Sequence, residues 1–169
     1  THLLALAPIH IEPIGLYAGK SKDLKNIKNG ATIAIPNDAT NGGRALLLLQ
    51  SAGIIQLKKG TGINATKADI VSNPHNVKLQ ELEAAQIPRS LKDVDFAVIN
   101  SNFALTVNLN PVKDALFIED SKSPYANYLV VRQGDENRPE IQKLVKALQS
   151  PEVKEYIDKN LKGAVVAAF

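Results

Sequence analysis

Short apolar runs of the kind that form strands alternate along the chain with stretches whose apolar residues recur every three to four positions. The pattern predicts strands over residues 11–19, 32–36, 54–58, 77–82, 95–99, 115–118 and 127–132. Residues 96–99 and 128–131 are apolar without interruption, as expected of strands covered on both faces. Three helices stand out. The first opens near Thr40, with Asp38 and Thr40 as alternative caps, and stops at Gly53. It is apolar almost all round and so should be well buried. The second covers 138–149, with Ile141, Leu144, Val145 and Leu148 on one stripe and Asn137 with Glu140 resembling a capping box. The third begins at Ser150-Pro151, turns Val153, Tyr156, Ile157 and Leu161 inward, and ends at Gly163. Strands alternating with helices predict an α/β fold with a largely parallel sheet.

Composition removes several classes of function. Hydrophobic residues are 44% and charged residues 22% of 169, so the chain can bury a core. There are no cysteines, which excludes disulfide scaffolds, thiolate metal sites and Cys nucleophiles. The net charge of +3 comes from scattered basic residues, and aromatics are only 5%, so the basic stripe and stacking platform of a nucleic-acid binder are missing. His2, His10 and His75 have no second ligand at metal-binding spacing, and His75 falls in an exposed Asn-Pro-His-Asn turn. No Gly-x-Ser-x-Gly elbow accompanies them. No metal or cofactor is called for. Acid pairs such as Glu119-Asp120 read as solvated.

The most informative segment is the strand-to-helix turn after Ile35. A helix opening there offers backbone N–H groups to an anion, Gly42 and Gly43 let a ligand approach the backbone, and Arg44 adds a fork shaped for a carboxylate. The alternative is an ordinary capped helix with Arg44 solvated or salt-bridged. Asn100 and Asn127, at strand ends, each offer a donor and an acceptor, which suits an amine and a carboxylate together; the commoner use of Asn at such places is as a turn residue. Gln86 lies in a third post-strand loop, beside Glu83 and Arg89, and would line a cleft or be solvated.

Four collinear segments carry a resemblance. They are Ala34-Ile-Pro-Asn-Asp-Ala-Thr-Asn-Gly-Gly-Arg-Ala-Leu-Leu-Leu-Leu49, Glu81-Leu-Glu-Ala-Ala-Gln-Ile-Pro-Arg-Ser-Leu91, Ala97-Val-Ile-Asn100 and Ile118-Glu-Asp-Ser-Lys-Ser-Pro-Tyr-Ala-Asn127. Together they resemble the NlpA-type methionine-binding lipoproteins, the solute-binding components of bacterial methionine ABC importers. The resemblance implies a type II periplasmic-binding-protein-like fold, with two lobes around a cleft. Residues 1–20 and 121–169 would form a partial first lobe with the hinge crossings, and 21–120 the second α/β lobe. It further implies that Arg44 clamps the α-carboxylate of methionine or a close relative, such as D-methionine or a Met-containing peptide. Asn100 and Asn127 would hold the amino and carboxylate groups, with Asn41, Gln86 and Tyr125 as weaker carry-overs. The implied partners are methionine and an importer permease, with no nucleic acid. The implied location is the cell envelope, where membrane association comes only from a lipid anchor upstream of this sequence. Family members also carry an upstream segment that completes the first lobe, and an incomplete lobe invites dimerisation or strand exchange. Two other classes remain open on the residues alone, a bilobal α/β enzyme and a regulator's effector domain binding a small carboxylate or phosphate.

Overall fold

A computed structural model of the chain describes residues 2–120 and 123–169. Ser121 and Lys122, inside the last of the four motifs, lie outside the described residues, as does Thr1. The first half runs β1 (Leu3–Ile11), β2 (Gly15–Ala18), β3 (Thr32–Pro36), α1 (Ala39–Ser51), β4 (Gln56–Leu57), β5 (Ile70–Ser72) and β6 (Lys78–Leu82). There follow α2 (Ile87–Ser90), β7 (Phe96–Ile99), α3 (Ser101–Thr106), α4 (Pro111–Asp114) and β8 (Ala115–Ile118). The last elements are β9 (Asn127–Arg132), α5 (Pro139–Leu148), α6 (Pro151–Leu161) and β10 (Val166–Ala167). They form two compact units, one of Ile14–Glu119 and the other of Thr1–Pro13 with Asp120–Phe169. The first passage thus falls at 13/14 and not 20/21, because β2 pairs with β7 and β8 inside the larger unit.

In the unit Ile14–Glu119 a five-stranded sheet has the order β6-β3-β7-β2-β8. β3 is parallel to β6 and β7, whereas β2 is antiparallel to β7 and β8. The sheet is therefore mixed, not largely parallel: β2 joins it running the opposite way, an arrangement that needs no crossover helix. Alternation along the strands sorts two cores. Leu16, Ile33, Ile35, Phe96 and Val98 meet Ala45, Leu46 and Leu49 of α1 on one face. Tyr17, Ala34, Ala97 and Ile99 meet Ile87 and Ala104 on the other. All four residues of β7 are buried, as their unbroken apolar run predicts.

Asp95 pins the start of β7 to β3. Its carboxylate accepts the Thr32 N–H at 2.8 Å and the Ser21 hydroxyl at 2.9 Å. The Thr32 backbone bond is the main reason its carboxyl group titrates below the usual range. A carboxyl group with a depressed folded pKa stabilises above its unfolded pKa of about 3.9, and that stabilisation is lost as pH falls through the folded value. Asp95→Asn should cost about 1–2 kcal/mol at pH 7, discounted for partial exposure. In urea melts the gap from wild type should narrow below about pH 4. A gap that does not change with pH would assign the loss to shape instead of charge.

The second unit has a three-stranded antiparallel sheet, β10-β1-β9. β1 went unpredicted because Pro8 interrupts it and its pairing with β9 slips twice, between Ala5 and Ala7 and between Pro8 and His10. Several expectations fail here. Tyr128 and Val130 of β9 are 47% and 48% exposed, so within the chain this strand is covered on one face only. α5 buries none of its residues, and Leu144 of its apolar stripe is exposed. Tyr156 of α6 is 62% exposed, and of the four residues expected inward only Ile157 is buried. Periodicity identifies an apolar face but not what covers it. The expected capping box at α5 is also absent: the cap is Arg138, and Glu140 pairs with the Arg138 guanidinium instead of turning back to Asn137. α6 starts as predicted, with Ser150 Oγ accepting the Val153 N–H at 3.3 Å.

Candidate functional site

The turn after β3 is organised by Asp38. Its carboxylate caps α1 by accepting the Asn41 N–H at 2.9 Å, so Asp38 and not Thr40 is the cap. This alters the expected anion site, because the cap already places a negative charge among the first N–H groups of the helix. The two glycines serve packing as well as approach. A Cβ on Gly43 would lie 2.8 Å from the Ile63 carbonyl oxygen and 3.1 Å from that of Ala65, and one on Gly42 would lie 3.0 Å from the Pro36 oxygen. At Gly43 the close neighbour is this chain's own 3-10 turn, Gly62–Asn64.

From Asp38 a hydrogen-bond relay runs across to β7. A carboxylate only accepts, so it draws the Asn41 amide NH2 toward itself, with Nδ2 at 3.1 Å from each Asp38 oxygen. That leaves Asn41 Oδ1 as an acceptor, and Asn100 Nδ2 donates to it at 2.9 Å. The relay therefore orients Asn100 with its own Oδ1 turned away from Asn41. This oxygen is buried and has no hydrogen-bond partner among the described residues. An unmet acceptor of this kind costs roughly 1–3 kcal/mol. It is suited to receive N–H from a cation. Asn100 also begins α3, yet its side chain makes no capping bond, so its amide is committed to the relay.

Arg44, one turn into α1, is almost fully buried. Its Nε donates to Glu119 Oε1 at 2.9 Å, and Nη2 donates to Oε2. Side-chain exposures are 9% for Arg44 and 13% for Glu119. Glu119 follows directly on β8, and its Oε2 also accepts the Ile14 N–H at 3.2 Å. Glu119 is therefore not the solvated acid that its sequence context suggests but one buried against a cation. The missed signal was its place, an acid immediately after an apolar strand. Buried Arg is tolerable only when paired and hydrogen-bonded, and the two-point fork meets that need.

The other expected residues lie elsewhere. Gln86 is exposed at the end of the 3-10 turn Ala84–Gln86, with no side-chain capping bond. Asn127 and Tyr125 belong to the second unit. Asn127 is exposed at the start of β9, opposite His10 of β1. Tyr125 is half-buried, and its backbone N–H donates to Ser123 Oγ at 3.2 Å. Of the six, the structure thus joins Asn41 and Asn100 directly and sets Arg44 on the same helix as Asn41. The histidines are not all isolated: His10 Nε2 lies 3.0 Å from a Glu12 oxygen, and His75 is half-buried, not exposed.

Known proteins match the chain along its full length. It is 45% identical to a D-methionine-binding lipoprotein, MetQ, of Salmonella typhimurium and 45% identical to MetQ of Escherichia coli K12, over 99% of this chain in each case. The chain spans 62% of the length of each of these relatives. Among solved structures, a nutrient-binding protein from Burkholderia cenocepacia bound to methionine superposes with a TM-score of 0.91 at 52% identity, covering 99% of this chain and 70% of that one. A crystal structure of the methionine-binding protein MetQ gives 0.88 at 43% identity, covering 99% and 69%. These likenesses bear out the α/β fold of periplasmic-binding-protein type that the four motifs imply. All of residues 1–169 match the NlpA lipoprotein family, and the chain belongs to it.

Proposed function

We propose that the chain binds methionine by its zwitterionic head group and passes it to an ABC importer, as an envelope lipoprotein that performs no chemistry on its ligand. The observation that carries this reading is the buried, unpartnered Oδ1 of Asn100, held in place by Asn41 and Asp38. It would accept from the ligand's ammonium group. Arg44 would meet the α-carboxylate, oriented by the fork on Glu119. Asn127, Tyr125 and Gln86 enter as ligand contacts on family resemblance alone. Support for methionine as ligand comes from relatives named for D-methionine and from the methionine-bound Burkholderia structure.

Titration calorimetry of the full chain with L-methionine, D-methionine, methionine sulfoxide and a Met-containing dipeptide tests the reading. At least one should bind saturably. Asn100→Leu should weaken the preferred ligand about 10- to 100-fold, the worth of a hydrogen bond to a charged group. A chain that takes up none of the four at millimolar concentration would overturn the assignment. An Asn100→Leu chain of undiminished affinity would remove that amide from the site.

A further inference from the structure

We propose that Glu119 is a positioning residue for Arg44, fixing the guanidinium plane and balancing its charge so that the site takes a zwitterion in preference to a bare carboxylate. The proposal rests on the reading of the site given above, in which Arg44 meets the ligand's carboxylate. Its first support is geometric. Two parallel N–H···O bonds to one carboxylate fix a guanidinium in both plane and direction, which a single contact cannot do. Glu119 is itself held at two further points. Its Oε2 accepts the Ile14 N–H at 3.2 Å, and its own N–H donates to the Ile14 carbonyl at 3.0 Å. Ile14 and Glu119 are the first and last residues of their unit, so the fork anchors Arg44 to both chain passages at once.

The second support is electrostatic. Arg44 sits in the second turn of α1 and is almost wholly buried, so its charge needs a partner within the protein. Glu119 neutralises it with little water to screen either charge. A ligand carboxylate arriving at the same guanidinium meets a cation already paired, and also feels the repulsion of Glu119. The ligand then gains most when it brings its own positive charge, which the Asn100 oxygen is placed to receive. An anion without an ammonium group lacks that compensation.

The test compares the full wild-type chain with Glu119→Gln, Glu119→Asp and Arg44→Lys. The probes are L-methionine and 4-(methylthio)butanoate, the same molecule without its amino group. In Glu119→Gln the ratio of the butanoate Kd to the methionine Kd should fall about tenfold or more, and Glu119→Asp should restore much of it. Simple loosening of the fold would weaken both ligands alike and leave the ratio unchanged. A ratio within twofold of wild type overturns the charge-balancing role. The positioning role has a ligand-free readout, the Nε–H NMR resonance of Arg44, identified by its absence in Arg44→Lys. That line should be protected from solvent exchange in wild type and exchange-broadened in Glu119→Gln; a line unchanged by the substitution overturns positioning. If the wild-type chain binds neither compound, the methionine reading falls while the Nε–H comparison still decides whether Glu119 holds Arg44. Should Glu119→Gln fail to fold, Glu119→Met, which also removes the charge at similar volume, carries both comparisons.

Discussion

Arg44→Ala is expected to cost the chain about 3–5 kcal/mol of stability at neutral pH, along with the methionine binding proposed above. The stability loss arises from what is left behind. With the guanidinium gone, the Glu119 carboxylate stays in a site where its side chain is only 13% exposed, and its remaining described bond is to the Ile14 N–H. Water enters poorly there, so the lost fork is not replaced by solvation. The companion variant separates pairing from packing. Arg44→Met with Glu119→Leu removes both charges while keeping apolar volume, and should return most of the lost stability without restoring binding, because a buried pair exchanged for apolar groups is often near neutral. Urea melts of wild type, Arg44→Ala and the double variant give the comparison. If Arg44→Ala melts within about 1 kcal/mol of wild type, the pair is better solvated than its burial indicates. If the double variant is as unstable as the single one, the loss comes from packing around the guanidinium stem.

The contrast between Arg44 and Glu119 shows what the sequence makes legible. Arg44 stood out because it follows two glycines at the opening of a helix that is otherwise apolar, and a cation there invites an explanation. Its partner lies 75 positions further on, and the place of Glu119 directly after an apolar strand hints at burial without saying which cation it would meet. Pairings of that range are set by the order of strands in the sheet, which one-dimensional periodicity does not encode. The same limit explains the sheet itself. The spans 32–36 and 115–118 were readable residue for residue, since their apolar runs are bounded by turns. That β2 runs antiparallel between β7 and β8 was not readable, because the direction of a strand leaves no mark on its own residues. Asn100 was legible as a strand-end amide, whereas its orientation depends on Asp38 and Asn41, 59 residues away at the nearer bond. In the second unit the apolar stripes of α5 and α6 were correctly located, but their burial was overestimated.

Phe96→Ala should be the most damaging truncation in the larger unit, at about 3–5 kcal/mol. Phe96 opens β7, the central strand, flanked by β3 on one side and β2 on the other. It is fully buried and lies opposite Ile33 in one neighbour and Ala18 in the other. Its ring fills the face of the sheet covered by α1, alongside Ile33, Ile35, Leu46 and Leu49. The three strands around it are tied into one hydrogen-bonded sheet, so the cavity can close only slightly, which puts the cost toward the upper end of the range. Phe96→Leu keeps most of the volume and should cost less than about 1.5 kcal/mol. Function should respond differently from stability. The Asp38–Asn41–Asn100 relay leaves β7 at its other end, and no member of it belongs to the cluster around Phe96. Below its lowered melting temperature, a Phe96→Ala chain should therefore bind methionine with an affinity near that of wild type. Thermal melts and calorimetry on the same preparation read both effects. A large loss of affinity in a still-folded Phe96→Ala chain would show that the relay depends on the packing of α1 against the sheet, and not on its hydrogen bonds alone.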